Sequence, residues 1–307
     1  MGNDPERISV VISTKDRVDE LRRCLGSILR QSALPHELII VDAGEIPDPE
    51  HFLGPFNKIL DIHYIPAKVG LTHARNIGIH ESKGDLIVFL DDDTELDLDY
   101  MENMIAVFSC DRDHRIGGVS GKIIDPQEGQ NPPFFLKIKR SGRNILGLLF
   151  FLPCENEGNF QPAGFPTFPP AGAQECMHVE CLFGANMAFR REVMEKYPFD
   201  ETLDGYCFME DDDIAYRVSR EYVNIFTPHA RLMHFESPVS RDREFSRKKM
   251  LVKNYHYLFR KNIPYTVTRA VAFWWSLGGL VLTDILVRNP EGVKGLFAGI
   301  REIIWAP

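Results

Sequence analysis

Three consecutive aspartates, Asp91-Asp92-Asp93, follow the apolar run Leu86-Ile87-Val88-Phe89-Leu90. A short apolar run that ends abruptly in polar residues reads as a buried strand, so three carboxylates arrive together at one strand end. Hard cations such as Mg²⁺ and Mn²⁺ take oxygen ligands, and Mg²⁺ usually takes one or two carboxylates alongside substrate phosphates. Carboxylates at i and i+2 can reach one cation from a turn, which makes Asp91 and Asp93 candidate ligands. A charged turn capping the next helix is the alternative reading. A calcium loop is a third: Asp91, Asp93, Glu95, Asp97, Asp99 and Glu102 fall on ligand positions of an EF-hand loop. The sharp turn at its sixth position calls for Gly, however, where this chain has Leu96, and the preceding segment is a strand rather than a helix.

A second acidic run, Glu210-Asp211-Asp212-Asp213, opens a segment with helical spacing. The helix dipole favours one or two acids at a helix start. Four bring like-charge repulsion, which points to a function, and a carboxylate beside a cationic site could act as a general base. His234 ends a strand-like run, where a structural histidine and a metal ligand are both open readings. Gly70 precedes a helix whose free backbone N–H groups could face an anion. Lys68 and Arg75 would add positive charge there, although no P-loop pattern is present.

Alternating strand and helix patterns must position these groups. Ile8–Ser13, Leu38–Val41, Ile59–Ile65 and Leu86–Leu90 read as strands, and 16–31, 71–80 and 96–110 as helices. Such alternation predicts a doubly wound, mostly parallel α/β sheet with helices on both faces. Ligands then bind beyond the C-terminal strand ends, where Thr14, Asp42 and Asp91–Asp93 fall. Val179–Phe189 returns to strand-like sequence. A helix over 210–222, strands over 223–227 and 230–235, and a polar helix over 241–262 follow. Between Gly121 and Cys176, eight prolines and many glycines predict a long irregular loop.

The formal charge of −9 argues against a general nucleic-acid binder. Yet Arg241–Lys261 carries eight Lys or Arg against two acids. Six cysteines without a C-x-x-C pair read as reduced thiols in a cytoplasmic protein, and the polar first residues do not read as a signal peptide. Ala270–Thr283 is uncharged and includes Trp274 and Trp275, but it is shorter than the roughly 20 residues of a bilayer span. Packing on protein and contact with a membrane surface both fit this segment.

The runs ISVVISTKDRVDELRRCLGSILRQ, ELIIVDAG, GLTHARNIGIHESKGDLIVFLDDDTELDLDYM, FGANMAFRREVMEKYPFDE and MEDDDIAYRVSR occur in that order. Together they resemble the family 2 glycosyltransferases of GT-A fold. The resemblance implies that Thr14, Asp16 and Arg17 form a nucleotide-binding loop, and that Asp42 accepts from a base edge, usually uracil. It places Lys68, Arg75 and Asn76 toward the nucleotide or its diphosphate. Asp91 and Asp93 match the Asp-x-Asp motif, with Asp92 near ribose and metal. Gly184, Ala185 and Asn186, with Glu210, fall on the acceptor side. Asp211 matches the catalytic base, and His234 a histidine that completes the metal site. One departure is Asp42-Ala43-Gly44-Glu45, where the family often has Asp-Gly or Asp-Asp-Gly-Ser.

The implied activity is hexosyl transfer, with inversion, from a nucleotide-diphosphate sugar, UDP-linked by preference, to a glycan or lipid-linked hydroxyl. Mg²⁺ or Mn²⁺ would assist. The expected division is a GT-A domain over 1–262, with a nucleotide-binding half (1–124), a Pro/Gly-rich loop (125–178) and an acceptor-side half (179–262). A helical extension over 263–307 follows. Cell-envelope polysaccharide synthesis at the inner membrane face, with peripheral contact through 241–307, fits the basic and apolar C-terminal stretches. A nucleotidyltransferase is the main competing reading, but its first loop usually carries glycines, and Ser13-Thr14-Lys15-Asp16-Arg17 has none. A non-catalytic sugar-binding member is the other, and the acids at 91–93 and 211 speak against it.

Overall fold

The strand pattern closes into one nine-stranded sheet in a computed structural model that describes residues 6–124, 142, 144–203, 207–235 and 244–305. Two compact units emerge, Met1–Pro126 with Gly172–Val239, and Gln127–Ala171 with Ser240–Pro307.

The sheet lies in the first unit. Its strands are β1 (Ile8–Thr14), β2 (Glu37–Asp42), β3 (Ile62–Pro66), β4 (Leu86–Asp91), β5 (Thr94–Leu96), β6 (Ile116–Ile124), β7 (Met177–Val179), β8 (Asn186–Arg190) and β9 (Val223–His234). They run in the order β3-β2-β1-β4-β8-β6-β9-β5, with β7 also pairing β9. The β3, β2, β1 and β4 neighbours are parallel, β8 is antiparallel to β4 and β6, and β6 is parallel to β9. Every residue of β2 is buried, as expected of a parallel strand covered on both faces.

The first unit's helices are α1 (Val18–Leu29), α2 (Pro49–Asn57), α3 (Leu71–Glu81), α4 (Tyr100–Ser109), α5 (Arg191–Lys196) and α6 (Glu210–Ser219). One apolar cluster places α1, α2 and α4 side chains (Leu21, Leu25, Phe52, Met104) against Val10, Ile12 and Leu38. The other face gathers Ala74 and Ile79 of α3 with Val193, Ile214 and Val218 around Val11, Ile39 and Phe89. Alternating sheet residues thus feed two helical layers.

Several expectations shift. The strands expected at 223–227 and 230–235 are one strand, β9, which continues through Pro228 with a register slip against β6. The run over 179–189 breaks into β7 and β8, and the segment between them reaches the site. Helix α2, capped by Asp48, and strand β6, interrupted by Gly117, Gly118 and Gly121, carry no clear periodic signal.

The second unit contains a helical stretch at 144–150 and helices α7 (Glu244–Asn262), α8 (Val267–Leu286) and α9 (Pro290–Trp305). Residues 125–141 of the expected loop and Arg241–Arg243 of the expected helix lie outside the described residues. The rest of the Pro/Gly-rich stretch is not irregular throughout. Ala163 and Phe165 are buried, Phe165 stacks on Tyr255 at 3.8 Å between ring centroids, and the Tyr255 hydroxyl donates to the Ala163 carbonyl at 2.6 Å. Residues up to Ala171 therefore cluster with the C-terminal helices, and α7 does so too, whereas the sequence pattern predicts a boundary at 262/263. Helix α8 is 20 residues long and extends three residues beyond each end of its uncharged core; Asp284, near its C-terminal end, is buried in an ion pair with Lys248 at 2.8 Å.

Candidate active site

Strand β4 ends at Asp91, and the turn through Asp92 and Asp93 leads straight into β5. Strand β5 pairs antiparallel with the end of β9, placing Thr94 opposite His234. The Phe235 amide donates to the Asp93 carbonyl at 2.9 Å, which fixes that closure. His234 is thereby carried about 140 residues along the chain to the aspartates. Its Nε2 lies 3.0 Å from Asp93 Oδ1 and 3.8 Å from Asp91 Oδ2. Asp91, Asp93 and His234 each offer one ligand atom, and these atoms lie within 4.8 Å of one another.

Neighbouring side chains fix the rest of the acidic turn. Thr14, at the end of β1, donates to Asp92 Oδ2 at 2.7 Å. Arg17 Nη1 reaches Asp92 Oδ1 at 2.9 Å and Asp93 Oδ2 at 3.1 Å. Asp92 is buried, and burial raises its pKa to about 6 against the opposing pull of Thr14 and Arg17. Asp91 is also raised, first by burial, with Arg75 and His234 opposing. Clustered carboxylates, two of them disfavoured in their ionised form by burial, are a site where added positive charge is stabilising.

Arg75 joins this cluster to the second acidic run. It is 3% exposed, and its guanidinium contacts Glu210 Oε1 at 2.9 Å, Asp91 Oδ1 at 3.3 Å and the Gly184 carbonyl at 3.0 Å. Burial works against its charge, but Glu210, Asp91 and Asp211 outweigh it and hold the pKa above the ordinary arginine value. Arg75 thus bridges Asp91, Glu210 and Gly184.

The four acids of α6 have four different surroundings. Glu210 is buried on Arg75, and burial, then the charge of Asp211, raises its pKa. Asp213 pairs with Arg217 at 2.8 Å one turn on, a structural use. Asp212 is raised well above the ordinary value by burial and then by its acidic neighbours. Asp211 accepts from two backbone amides: Gly184 N at 3.0 Å on Oδ2 and Asp212 N at 2.9 Å on Oδ1. Burial raises Asp211, while Arg75 and these amides favour its ionised form. Gly184 is required for this approach, because a Cβ there would lie 2.7 Å from Asp211 Oδ2.

The other expected residues divide. The Asp91 amide donates to the Ala185 carbonyl at 3.2 Å, which ties Gly184-Ala185 to the acidic turn. Asn186 is fully buried in β8 and accepts from the Gly121 amide at 2.6 Å, which ties β8 to β6. Asn76 is bound to Phe199 and Glu201, with bonds of 2.8–2.9 Å. The Asp42 carboxylate, buried, accepts from Gly44 N at 2.7 Å, Ile46 N at 3.2 Å and the Tyr64 hydroxyl at 2.8 Å. It thus organises the loop after β2. Gly44 lets this loop meet the first one, since a Cβ there would lie 2.5 Å from Asp16 Oδ1. Lys68 and Asp16 are exposed. Tyr64 and Arg217 are functional-site neighbours absent from the expected set. Arg217 was legible as the i+4 partner of Asp213, whereas nothing in the sequence marks Tyr64.

Residues 9–197 match the profile of glycosyl transferase family 2. The chain belongs to that family. Uncharacterized glycosyltransferase YwdF of Bacillus subtilis (strain 168) is 40% identical over 99 residues, 32% of this chain and 37% of that protein. The chain thus spans well under half the length of this curated relative. Two solved structures share the fold at low identity. The mannosyltransferase PcManGT of Pyrobaculum calidifontis, in complex with GDP-Man and Mn²⁺, superposes with a TM-score of 0.59 at 14% identity, over 99% of this chain and 88% of that one. S. aureus TarS 1-349, in complex with UDP-GlcNAc, does so with a TM-score of 0.59 at 12% identity, over 96% and 81%. The sheet is therefore of GT-A type, and the Asp91, Asp93 and His234 cluster is a candidate metal site at the ends of β4 and β9.

Proposed function

We propose that this chain transfers a sugar from a nucleoside diphosphate donor to an acceptor hydroxyl by a single displacement that inverts the anomeric centre. The observation that carries the reading is the convergence of Asp91, Asp93 and His234 beside an aspartate, Asp211, anchored by two backbone amides. Two carboxylates and an imidazole suit a divalent cation, and the nitrogen ligand favours Mn²⁺ over Mg²⁺. Such a cation supplies Lewis-acid stabilisation of the departing diphosphate.

The chain's own residues do the rest. Arg17 and Thr14 orient Asp92 and hold the acidic turn. Arg75 holds Asp91 and the start of α6 in one register. Asp211 takes the proton from the acceptor hydroxyl as its oxygen forms the bond to the anomeric carbon, while the bond to the diphosphate breaks on the opposite face. Glu210, engaged by Arg75, supports the acceptor side rather than serving as a nucleophile. UDP-sugars are the first donors to test, with the Asp42 loop as the base-reading element. GDP-sugars come next, in view of the mannosyltransferase likeness. A glycan or lipid-linked saccharide of the cell envelope, met at the cytoplasmic membrane face, is the proposed acceptor class.

A thermal-shift screen of UDP and GDP with Mn²⁺ tests the reading directly, since a ligand that binds only the folded state raises its apparent stability. A rise that requires both nucleotide and metal, together with sugar release from the matching donor, is expected. Equal shifts with metal and with chelator overturn it.

A further inference from the structure

Helix α8 has its apolar side outward. Val267, Val271, Trp274, Gly278, Leu282 and Ile285 recur at helical spacing, and all six are exposed. Trp274 and Trp275 are about half exposed, and Ile285 is 55% exposed. The opposite face is already occupied. Phe273 packs on Tyr255 and Phe259 at 4.6 and 4.7 Å between centroids, Ser276 shares a 2.6 Å hydrogen bond with the Tyr255 hydroxyl, and Asp284 is ion-paired with Lys248. The helical stretch 144–150 extends the outward surface. Its Ile145, Leu148 and Leu149 are exposed, Trp275 Nε1 donates to the Leu149 carbonyl at 2.9 Å, and Phe150 stacks on Trp275.

The unit that carries this surface is net basic. The second unit holds sixteen Lys and Arg against eight Asp and Glu, while the chain as a whole carries −9. Along α7, Lys249, Lys253 and Arg260 fall at helical spacing, and Glu302 pairs with both lysines. Arg301 and Lys253 line a groove of about 690 Å³ together with Trp305, which is 81% exposed. An uncharged face bearing a tryptophan pair, set in a cationic unit, matches a bilayer surface with anionic headgroups.

We propose that the outward face of α8, with residues 145–149, is a membrane-docking surface that lies in the plane of an anionic bilayer. By length and composition α8 could cross a membrane, but its other face is bound to α7 and α9. A span would carry Lys249, Lys253 and Arg260 into hydrocarbon, which is costly for each charge. The inference deepens the membrane-surface reading above and rests on it, while the transfer chemistry does not depend on either.

Sedimentation of the full chain with vesicles tests it. Binding is expected to equimolar phosphatidylcholine and phosphatidylglycerol, to be at least tenfold weaker to phosphatidylcholine alone, and to weaken with added salt. The triple variant Val271→Glu, Leu282→Glu, Ile285→Glu alters only exposed positions and should lose at least tenfold in binding, with circular dichroism and donor hydrolysis unchanged. Trp fluorescence should be quenched more by lipids brominated near the headgroup than near the chain end. Unchanged binding of the triple variant, or deeper quenching by chain-end bromines, overturns the proposal. So does a lipid-independent dimer that the triple variant abolishes, since a second copy would then be the occupant. Loss of donor hydrolysis in the wild-type chain would instead count against the transferase reading alone.

Discussion

Replacing Gly184 by alanine tests the placement of the base without removing a titrating group. A Cβ at 184 would lie 2.7 Å from Asp211 Oδ2 and 3.1 Å from its Cγ, where ordinary contact begins at 3.4 Å. The carboxylate must therefore retreat by roughly 0.7 Å to relieve the overlap. If the backbone moves instead, it displaces the amide that donates to Asp211 and the carbonyl that accepts from Arg75. A misplacement on the order of 1 Å can cost about 10²-fold in rate, whereas losing a general base outright costs about 10²–10⁴-fold. Gly184→Ala is thus expected to lower kcat by about 10- to 100-fold, with metal-dependent nucleotide affinity within about twofold of wild type. The assay is steady-state sugar transfer with Mn²⁺, backed by single-turnover measurements that separate chemistry from product release. Gly54→Ala in α2 is the control. Nothing lies within 4 Å of its added Cβ, so activity should hold and stability should rise by up to about 1 kcal/mol. A Gly184→Ala enzyme with wild-type single-turnover rate would refute the assignment of Asp211 as a base held by that amide.

Five further outcomes follow from the same geometry. Asp211→Asn should lower kcat by about 10²–10⁴-fold with donor binding nearly unchanged, measured by transfer kinetics beside calorimetry. Asp93→Ala should abolish metal-dependent UDP binding, and His234→Ala should narrow the preference for Mn²⁺ over Mg²⁺, both read by titration calorimetry. Arg217→Met removes the ion pair to the buried Asp213 carboxylate and should lower stability by about 1–3 kcal/mol in denaturant unfolding, with little effect on kcat. Asp92 has a folded pKa of about 6 against an ordinary 3.8. Its proton is held more tightly in the folded state, so its contribution is fully present below the unfolded value and is lost as pH rises toward the folded one. The metal-free wild type should therefore lose stability relative to Asp92→Asn between those two pH values, and parallel thermal melts at stepped pH would check it.

Much of the first unit was legible because its signals are local. The runs that became β1, β2 and β4 are short and apolar, and the sequence of α1 places Leu21, Cys24, Leu25 and Ile28 on one buried face. The termini of these elements name Thr14, Asp42 and Asp91 without any knowledge of partners. Legibility failed where neighbours override the pattern. Strand β6 holds its place between β8 and β9 despite its glycines, and residues 144–171 are ordered by α7 and α8 side chains more than 80 residues away.

Residue types and order alone determined the alternating α/β architecture, the acidic ends of β4 and the start of α6, and the resemblance to a transferase family, since each depends on spacing along the chain. Tertiary structure decided what each polar group touches. Arg75 faces Glu210 and Asp91, Asn76 is bound to Phe199 and Glu201, and Asp42 is taken up by its own loop. It also separated four adjacent acids into an arginine-bound Glu210, an amide-anchored Asp211, a disfavoured Asp212 and a paired Asp213. The physical reason is that a charge's role depends on desolvation and on partners within a few ångströms, and here those partners come from strands and loops distant in the chain.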